Sequence, residues 1–225
     1  MPVLRDDRFA PDVHCVVWES TETAGALAAA LPPGWRDVAP ARPARQRETL
    51  GARRALLHAE PTLAARTLGK DAFGKPYLLG EPPRHFSLSH SHGHAAALLA
   101  DVPCGVDLQR RDEKIVRLRT KFERADERAF VRAQPDEAAA LHVLWGAKES
   151  LYKLWGRRGI DWTADMIVAP FGTEGTDGGD FTGEVRKDGQ VVAARLAWRW
   201  VGAYCLVAAW RVLRSADRRT PPAGN

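Results

Sequence analysis

The stretch Ala95-Ala-Ala-Leu-Leu-Ala100-Asp101-Val-Pro103-Cys-Gly105-Val-Asp107-Leu108 divides the chain. Residues 95–100 are an apolar run of strand length, Pro103 interrupts it, and residues 105–108 resume as a second short strand. Working outward, one order of elements recurs on each side. On the N-terminal side the pattern predicts a strand over 13–19 (VHCVVWE) and an Ala/Leu-rich helix from about Thr23. A Pro32-Pro33-Gly34 turn, an amphipathic helix over 44–58 and a loop at Gly74-Lys75-Pro76 follow, then strands over 85–89 and 95–100 joined near Gly93. On the C-terminal side it predicts helices over 119–133 and 136–155, the second with Asp136 and Glu137 in its first turn. Strands over 181–186, 190–200 and 203–213 close the chain, the first two joined by the turn Lys187-Asp188-Gly189. This is an α+β pattern of two similar halves, a pseudo-dimer, with boundaries at 1–104 and 105–213 and a polar tail over 214–225. No internal sequence repeat underlies the symmetry; it rests on element order.

Composition narrows the class. The 225 residues are 45% hydrophobic and 27% charged, enough to bury a core without disulfides. Cys15, Cys104 and Cys205 are three widely spaced cysteines with no C-x-x-C, which argues against a disulfide framework and for a reducing, cytoplasmic setting. No stretch approaches the roughly 20 apolar residues that span a bilayer, and no N-terminal apolar run marks secretion. The net charge of +5 is concentrated: residues 36–70 hold eight Lys or Arg against three Asp or Glu. Such a segment suits a phosphate-bearing ligand or an acidic protein; a solvated arginine-rich helix face explains the charge equally well.

Four short stretches could carry chemistry. Gly69-x-x-x-x-Gly74-Lys75 ends in Pro76, where a P-loop needs Ser or Thr, so only a glycine turn presenting Lys75 survives. Ser87-Leu-Ser89-His90-Ser91-His92-Gly93-His94 places three histidines on alternate strand positions, a spacing that invites zinc. It lacks a matching fourth ligand, and a histidine with neighbouring serines donating to an anion is the preferred reading. In Gly105-Val106-Asp107-Leu108-Gln109, alternation turns Val106 and Leu108 toward a core and Asp107 and Gln109 to the other face, oxygen donors suited to a hard cation. In Trp145-x-x-Lys148-Glu149-x-x-x-Lys153, positions 145, 149 and 153 form one helical stripe with Lys148 beside it. Taken alone, Glu149 and Lys153 read as an ordinary i,i+4 pair.

Together and in order, Arg47-x-x-x-Gly51, Gly74-Lys75-Pro76, Phe86-Ser-Leu-Ser89-His90-Ser91, Gly105-Val106-Asp107-Leu108 and Trp145-x-x-Lys148-Glu149-Ser150-x-x-Lys153 resemble the 4′-phosphopantetheinyl transferases of the large, monomeric, surfactin-synthetase-activating type. The resemblance implies two α+β halves with coenzyme A in the cleft between them. It implies transfer of the phosphopantetheine arm to a serine of an apo acyl or peptidyl carrier protein, with magnesium as cofactor and adenosine 3′,5′-bisphosphate as the other product. By the same resemblance Arg47, Lys75, Ser89, His90, Lys148 and Lys153 bind coenzyme A. Asp107 and Glu149 hold the metal, with Gln109 as a further ligand, and Glu149, Lys153 and Asp107 are the catalytic set. Gln109 departs from the family pattern, where many relatives carry an acid, and it weakens the expected metal site. His92 and His94 receive no role. An acidic carrier is the expected partner of a chain with pI ≈ 9.4. Neither nucleic acid nor membrane is expected as a partner. The alternatives from other classes are a basic nucleotide or nucleic-acid module and a zinc hydrolase on the His90/His92/His94 run.

Overall fold

The computed structural model describes residues 2–37, 42–174 and 177–213, so the tail expected over 214–225 lies outside the described residues. Strands β1 (Val3–Ala10), β2 (Val13–Glu19), β5 (His85–Ser91) and β6 (His94–Ala100) form an antiparallel sheet in the order β1-β2-β6-β5. Strands β7 (Cys104–Arg110), β8 (Met166–Val168), β9 (Gly178–Lys187), β10 (Gln190–Val201) and β11 (Tyr204–Arg211) form a second, in the order β7-β11-β10-β9-β8. The short hairpin β3 (Leu68–Lys70) and β4 (Pro76–Leu78) carries the Gly74-Lys75 turn. Helices α1 (Ala24–Ala29) and α2 (Pro43–Ala59) belong to the first sheet's side, and α3 (Ile115–Leu118), α4 (Ala125–Arg132) and α5 (Glu137–Trp155) to the second's.

The two sheets lie back to back between α2 and α5, and alternation along the strands builds three cores. Val16 and Trp18 of β2, with Ala95, Ala97 and Leu99 of β6, pack with Leu50 and Leu56 of α2. The opposite faces, Cys15 and Val17, Ala96 and Leu98, meet Val106, Leu108, Leu206 and Ala208 of the second sheet. Cys205, Val207 and Ala209 of β11 turn the other way, onto Leu144, Ala147 and Leu151 of α5. Strands buried on both faces read as continuous apolar runs, which is why 13–19 and 95–100 stand out in the sequence.

The sheets are joined by side chains. Ser87, Ser89 and Ser91, alternate residues of β5, each accept a backbone N–H from β7: Val106 (3.0 Å), Leu108 (3.0 Å) and Arg110 (3.2 Å). Edge amides that would otherwise be orphaned are thereby satisfied. At the hairpin tip, Tyr204 of β11 donates its hydroxyl to the His92 carbonyl (3.0 Å) and stacks on the His94 ring at 4.0 Å.

Helix α5 has clear local causes. Asp136 caps it, accepting the Ala139 N–H at 2.9 Å, and Gly156, in the left-handed region at φ 71°, ends it. It lies directly on β7 at Gly105, where a Cβ would sit 1.9 Å from the Ser150 carbonyl oxygen. The single helix expected over 119–133 is instead a 3-10 turn (Arg119–Lys121) and α4, with the short α3 just before them. Phe122, fully buried, interrupts it, and the Glu127 carboxylate accepts the Arg124 N–H (2.9 Å) to start α4 afresh. The edge strands β1 and β8 were not expected; β1 carries four charged residues, which conceals its alternation.

Candidate functional site

On β7, alternation turns Asp107 away from the core that holds Val106 and Leu108. Its Oδ1 accepts from Lys153 Nζ (3.0 Å) and from the Ser89 hydroxyl (3.2 Å). Its Oδ2 is buried with no partner. Lys153 reaches this point from α5 and also donates to the Val106 carbonyl (2.8 Å) and Ser89 Oγ (3.1 Å). One turn back on α5, Glu149 has its carboxyl pushed up to about 7, first by burial and then by the charge of Asp107. Two carboxylates share a partly desolvated spot, and one oxygen lacks any donor. A divalent cation takes such oxygens, so the residues present fit magnesium. Gln109 lies on the same strand face, and its amide nitrogen donates to the His142 carbonyl on α5 (3.0 Å).

Beside this junction opens a cleft of about 440 Å³ between α2, the Gly74-Lys75 turn, β5 and the end of α5. Arg45, Lys75, His90, Lys153, Arg157 and Arg158 line it, and among the described residues no carboxylate does. Lys75 is positioned by its turn: Asp71 Oδ1 accepts the Phe73 and Lys75 N–H groups, and Lys75 Nζ donates to the Lys153 carbonyl at the end of α5 (2.6 Å). Burial lowers the pKa of Lys75. His90 Nδ1 lies 3.1 Å from Glu48 Oε2 of α2, while Glu48 Oε1 accepts the Gly93 N–H at 2.7 Å. Burial lowers the His90 pKa; Glu48 opposes this, and Arg45 and Lys153 reinforce it.

Asp107, Glu149, Lys153 and Ser89 meet at one junction, and Lys75 and His90 stand on the adjoining cleft. Three residues differ from expectation. Lys148 is fully buried and points into the α5 core, pairing with Glu127 at 2.7 Å and donating to the Phe122, Trp162 and Met166 carbonyls. It is a core ion pair with no face on the cleft. Ser89 does not line the cleft either: its hydroxyl is committed to Leu108, Asp107 and Lys153. On α2 the cleft wall is Arg45, Thr49 and Ala52, spaced i, i+4, i+7, and Arg47 lies off that stripe with its Nε buried and unpartnered. The histidine run does not converge: His90 pairs with Glu48, His92 with Ser91 and His94 with Tyr204. Among the described residues no three His, Cys, Asp or Glu side chains group to hold a metal ion.

Sequence reasoning missed Arg45, Glu48, Arg157 and Arg158. The i, i+4 relation of Arg45 and Thr49 was a visible signal; for Arg157 and Arg158 the signal was the Gly156 helix stop just before them.

Residues 103–205, from β7 to β11, match the family profile of the 4′-phosphopantetheinyl transferase superfamily. The 4′-phosphopantetheinyl transferase AcpT of Escherichia coli K12 is 34% identical over 140 residues, 57% of this chain and 67% of that protein. The chain belongs to the 4′-phosphopantetheinyl transferase superfamily. Psf-1 of Bacillus pumilus, also named a 4′-phosphopantetheinyl transferase, is 32% identical over 104 residues, 45% of this chain. The Bacillus subtilis 4′-phosphopantetheinyl transferase is 28% identical over 96 residues, 42% of this chain. The matches span 44% and 43% of those two Bacillus proteins, less than half their length. Asp107, Glu149 and Lys153 all fall within the segment matched by the family profile, whereas Arg45, Lys75 and His90 lie before it. Among the described residues no helix is long and apolar enough to cross a membrane.

Proposed function

We propose that the chain transfers the 4′-phosphopantetheine group of coenzyme A to a serine hydroxyl of an apo acyl or peptidyl carrier protein, releasing adenosine 3′,5′-bisphosphate. The observation that carries this reading is the junction at Lys153. One ammonium ties Asp107 of β7 to Ser89 of β5 and borders a cleft lined by cations, with Glu149 one helical turn away. A ligand with several phosphates and an apolar body suits that cleft, whose wall also includes Phe73, Pro76, Phe86 and Leu88.

Asp107, through its unpartnered Oδ2, and Glu149 would hold magnesium, with the Gln109 amide oxygen as a further ligand. When bound, the cation neutralises diphosphate oxygens as a Lewis acid. The residues of the chain do the rest. Lys75 and His90 bind phosphate oxygens and fix the diphosphate for in-line attack. Glu149 accepts the proton of the carrier serine, directly or through a water, as the serine Oγ bonds to the pantetheine-side phosphorus. The bridging P–O bond breaks, and Lys153 stabilises the charge that moves onto the departing bisphosphate. The carrier is an acidic protein steered by the basic chain.

Chromatography of coenzyme A incubated with the enzyme tests the reading. Adenosine 3′,5′-bisphosphate should form only with apo carrier and a divalent cation both present. Formation without carrier, or none with several carrier types, would overturn it.

A further inference from the structure

Glu48 of α2 is a carboxylate that the transfer chemistry leaves unused. Its side chain is only 12% exposed, and both oxygens are placed: Oε1 accepts the Gly93 N–H at the β5–β6 tip (2.7 Å), and Oε2 lies 3.1 Å from His90 Nδ1. The tip is held a second time by the Ser20 N–H, which donates to the Gly93 carbonyl (2.8 Å), and Gly93 sits in the left-handed region at φ 81°. Helix, hairpin tip and carboxylate form one fixed unit, and His90 is its face on the cleft.

An ionised carboxylate only accepts, so Nδ1 carries a hydrogen, and Nε2, with no partner among the described residues, is the nitrogen left for a ligand. Burial discourages a charge on this ring, Glu48 favours one, and Arg45 of α2 and Lys153 of α5 oppose it. Tyr204 of β11, close enough to feel the Glu48 charge, is a phenol pushed further up by burial and committed to the His92 carbonyl, so it stays neutral. A polyanionic ligand in the cleft offsets Arg45 and Lys153 but leaves Glu48 in place, which tips the balance toward the imidazolium. The ring then takes its proton from solvent, and Nε2 changes from acceptor to donor. We propose that Glu48 is a positioning residue for His90: it holds the ring with Nε2 presented to the cleft and couples the binding of coenzyme A to the uptake of a proton by that ring. The proposal rests on the phosphopantetheinyl transfer reading and deepens it.

Calorimetric titration with coenzyme A, magnesium present, in buffers of different ionisation enthalpy counts the protons bound with the ligand, on wild type, Glu48→Gln, His90→Gln and the double variant. In Glu48→Gln the amide oxygen keeps the Gly93 N–H, so the protein should melt as cooperatively as wild type. Its amide nitrogen in place of Oε2 turns Nδ1 into an acceptor and removes the counter-charge. Near neutral pH wild type should take up more protons than His90→Gln, by up to about one per coenzyme A, and its affinity should fall more steeply as pH rises. Glu48→Gln should lose that excess and bind roughly tenfold more weakly. In the His90→Gln background the same substitution should cost little more, because the two side chains act as one unit. A wild type whose uptake equals that of His90→Gln, a Glu48→Gln protein with the wild-type uptake, or losses that simply add in the double variant overturns this proposal alone. A wild type that binds no coenzyme A overturns the functional reading and the proposal with it.

Discussion

Replacing Lys148 by Met separates the two roles that its neighbourhood in the sequence and its position in the fold assign to it. The side chains of Lys148 and Glu127 are 0% and 1% exposed, and the 2.7 Å contact between them is surrounded by three carbonyls that also accept from the ammonium. Met fills the volume but supplies no donor. Glu127 keeps the Arg124 and Val168 N–H groups, at 2.9 and 3.1 Å, and loses its counter-charge. Removing one partner of such a pair costs about 3–5 kcal/mol. Removing both charges, in Glu127→Gln/Lys148→Met, should cost less than Lys148→Met alone, because no unpaired charge is left behind. Burial already raises the Glu127 pKa, opposed mainly by Lys148, so the single variant raises it further. A folded-state pKa raised above the unfolded one gives stability that is lost as pH rises, so the deficit of Lys148→Met should be larger at pH 8 than at pH 5. Urea unfolding of the three proteins at both pH values measures this. A Lys148→Met protein as stable as wild type but with weakened coenzyme A binding would refute the core assignment.

Other perturbations read other parts of the structure. Glu149 has a folded pKa of about 7 against 4.5 in the free group, so in metal-free protein its contribution is fully present below pH 4.5 and lost as pH rises through 7. The shift corresponds to on the order of 3 kcal/mol, and Glu149→Gln should flatten the stability–pH curve by that amount; parallel wild-type and variant curves would contradict it. Ser87→Ala leaves the buried Val106 N–H without its acceptor and should destabilise by about 1–3 kcal/mol in urea unfolding; a cost near zero would mean that the serine ladder does not join the sheets. Gly105→Ala forces a methyl onto the Ser150 carbonyl oxygen and should separate α5 from β7, seen as a large loss of stability together with weakened metal-dependent activity; a variant of wild-type stability would show that the close approach is unnecessary.

Much of this was legible because local and tertiary demands agree. Residues 13–19, apart from His14 and the terminal Glu19, and residues 95–100 are apolar since both faces are buried, and 105–108 alternates because only one face of β7 meets the core between the sheets. Glu149 and Lys153 were readable as one stripe of α5. Lys148 could have been read differently from the same periodicity: Leu141, Leu144, Lys148 and Leu151 form the apolar stripe, so the residue sits inward. Ser87, Ser89 and Ser91 showed their period of two, but whether a serine hydroxyl faces a ligand or an edge strand depends on a second sheet 19 residues away in the chain. Which arginine of α2 reaches the cleft is likewise set by packing against β2 and β6, which the charge count over 36–70 does not contain.

The most direct test of the account is the intact mass of an apo carrier protein after incubation with the enzyme, coenzyme A and magnesium, with a parallel sample in EDTA. The carrier should gain one phosphopantetheine, a gain absent in EDTA and absent when the carrier serine is replaced by Ala. A carrier whose mass stays unchanged with every carrier class, beside an enzyme shown to be folded, would contradict it.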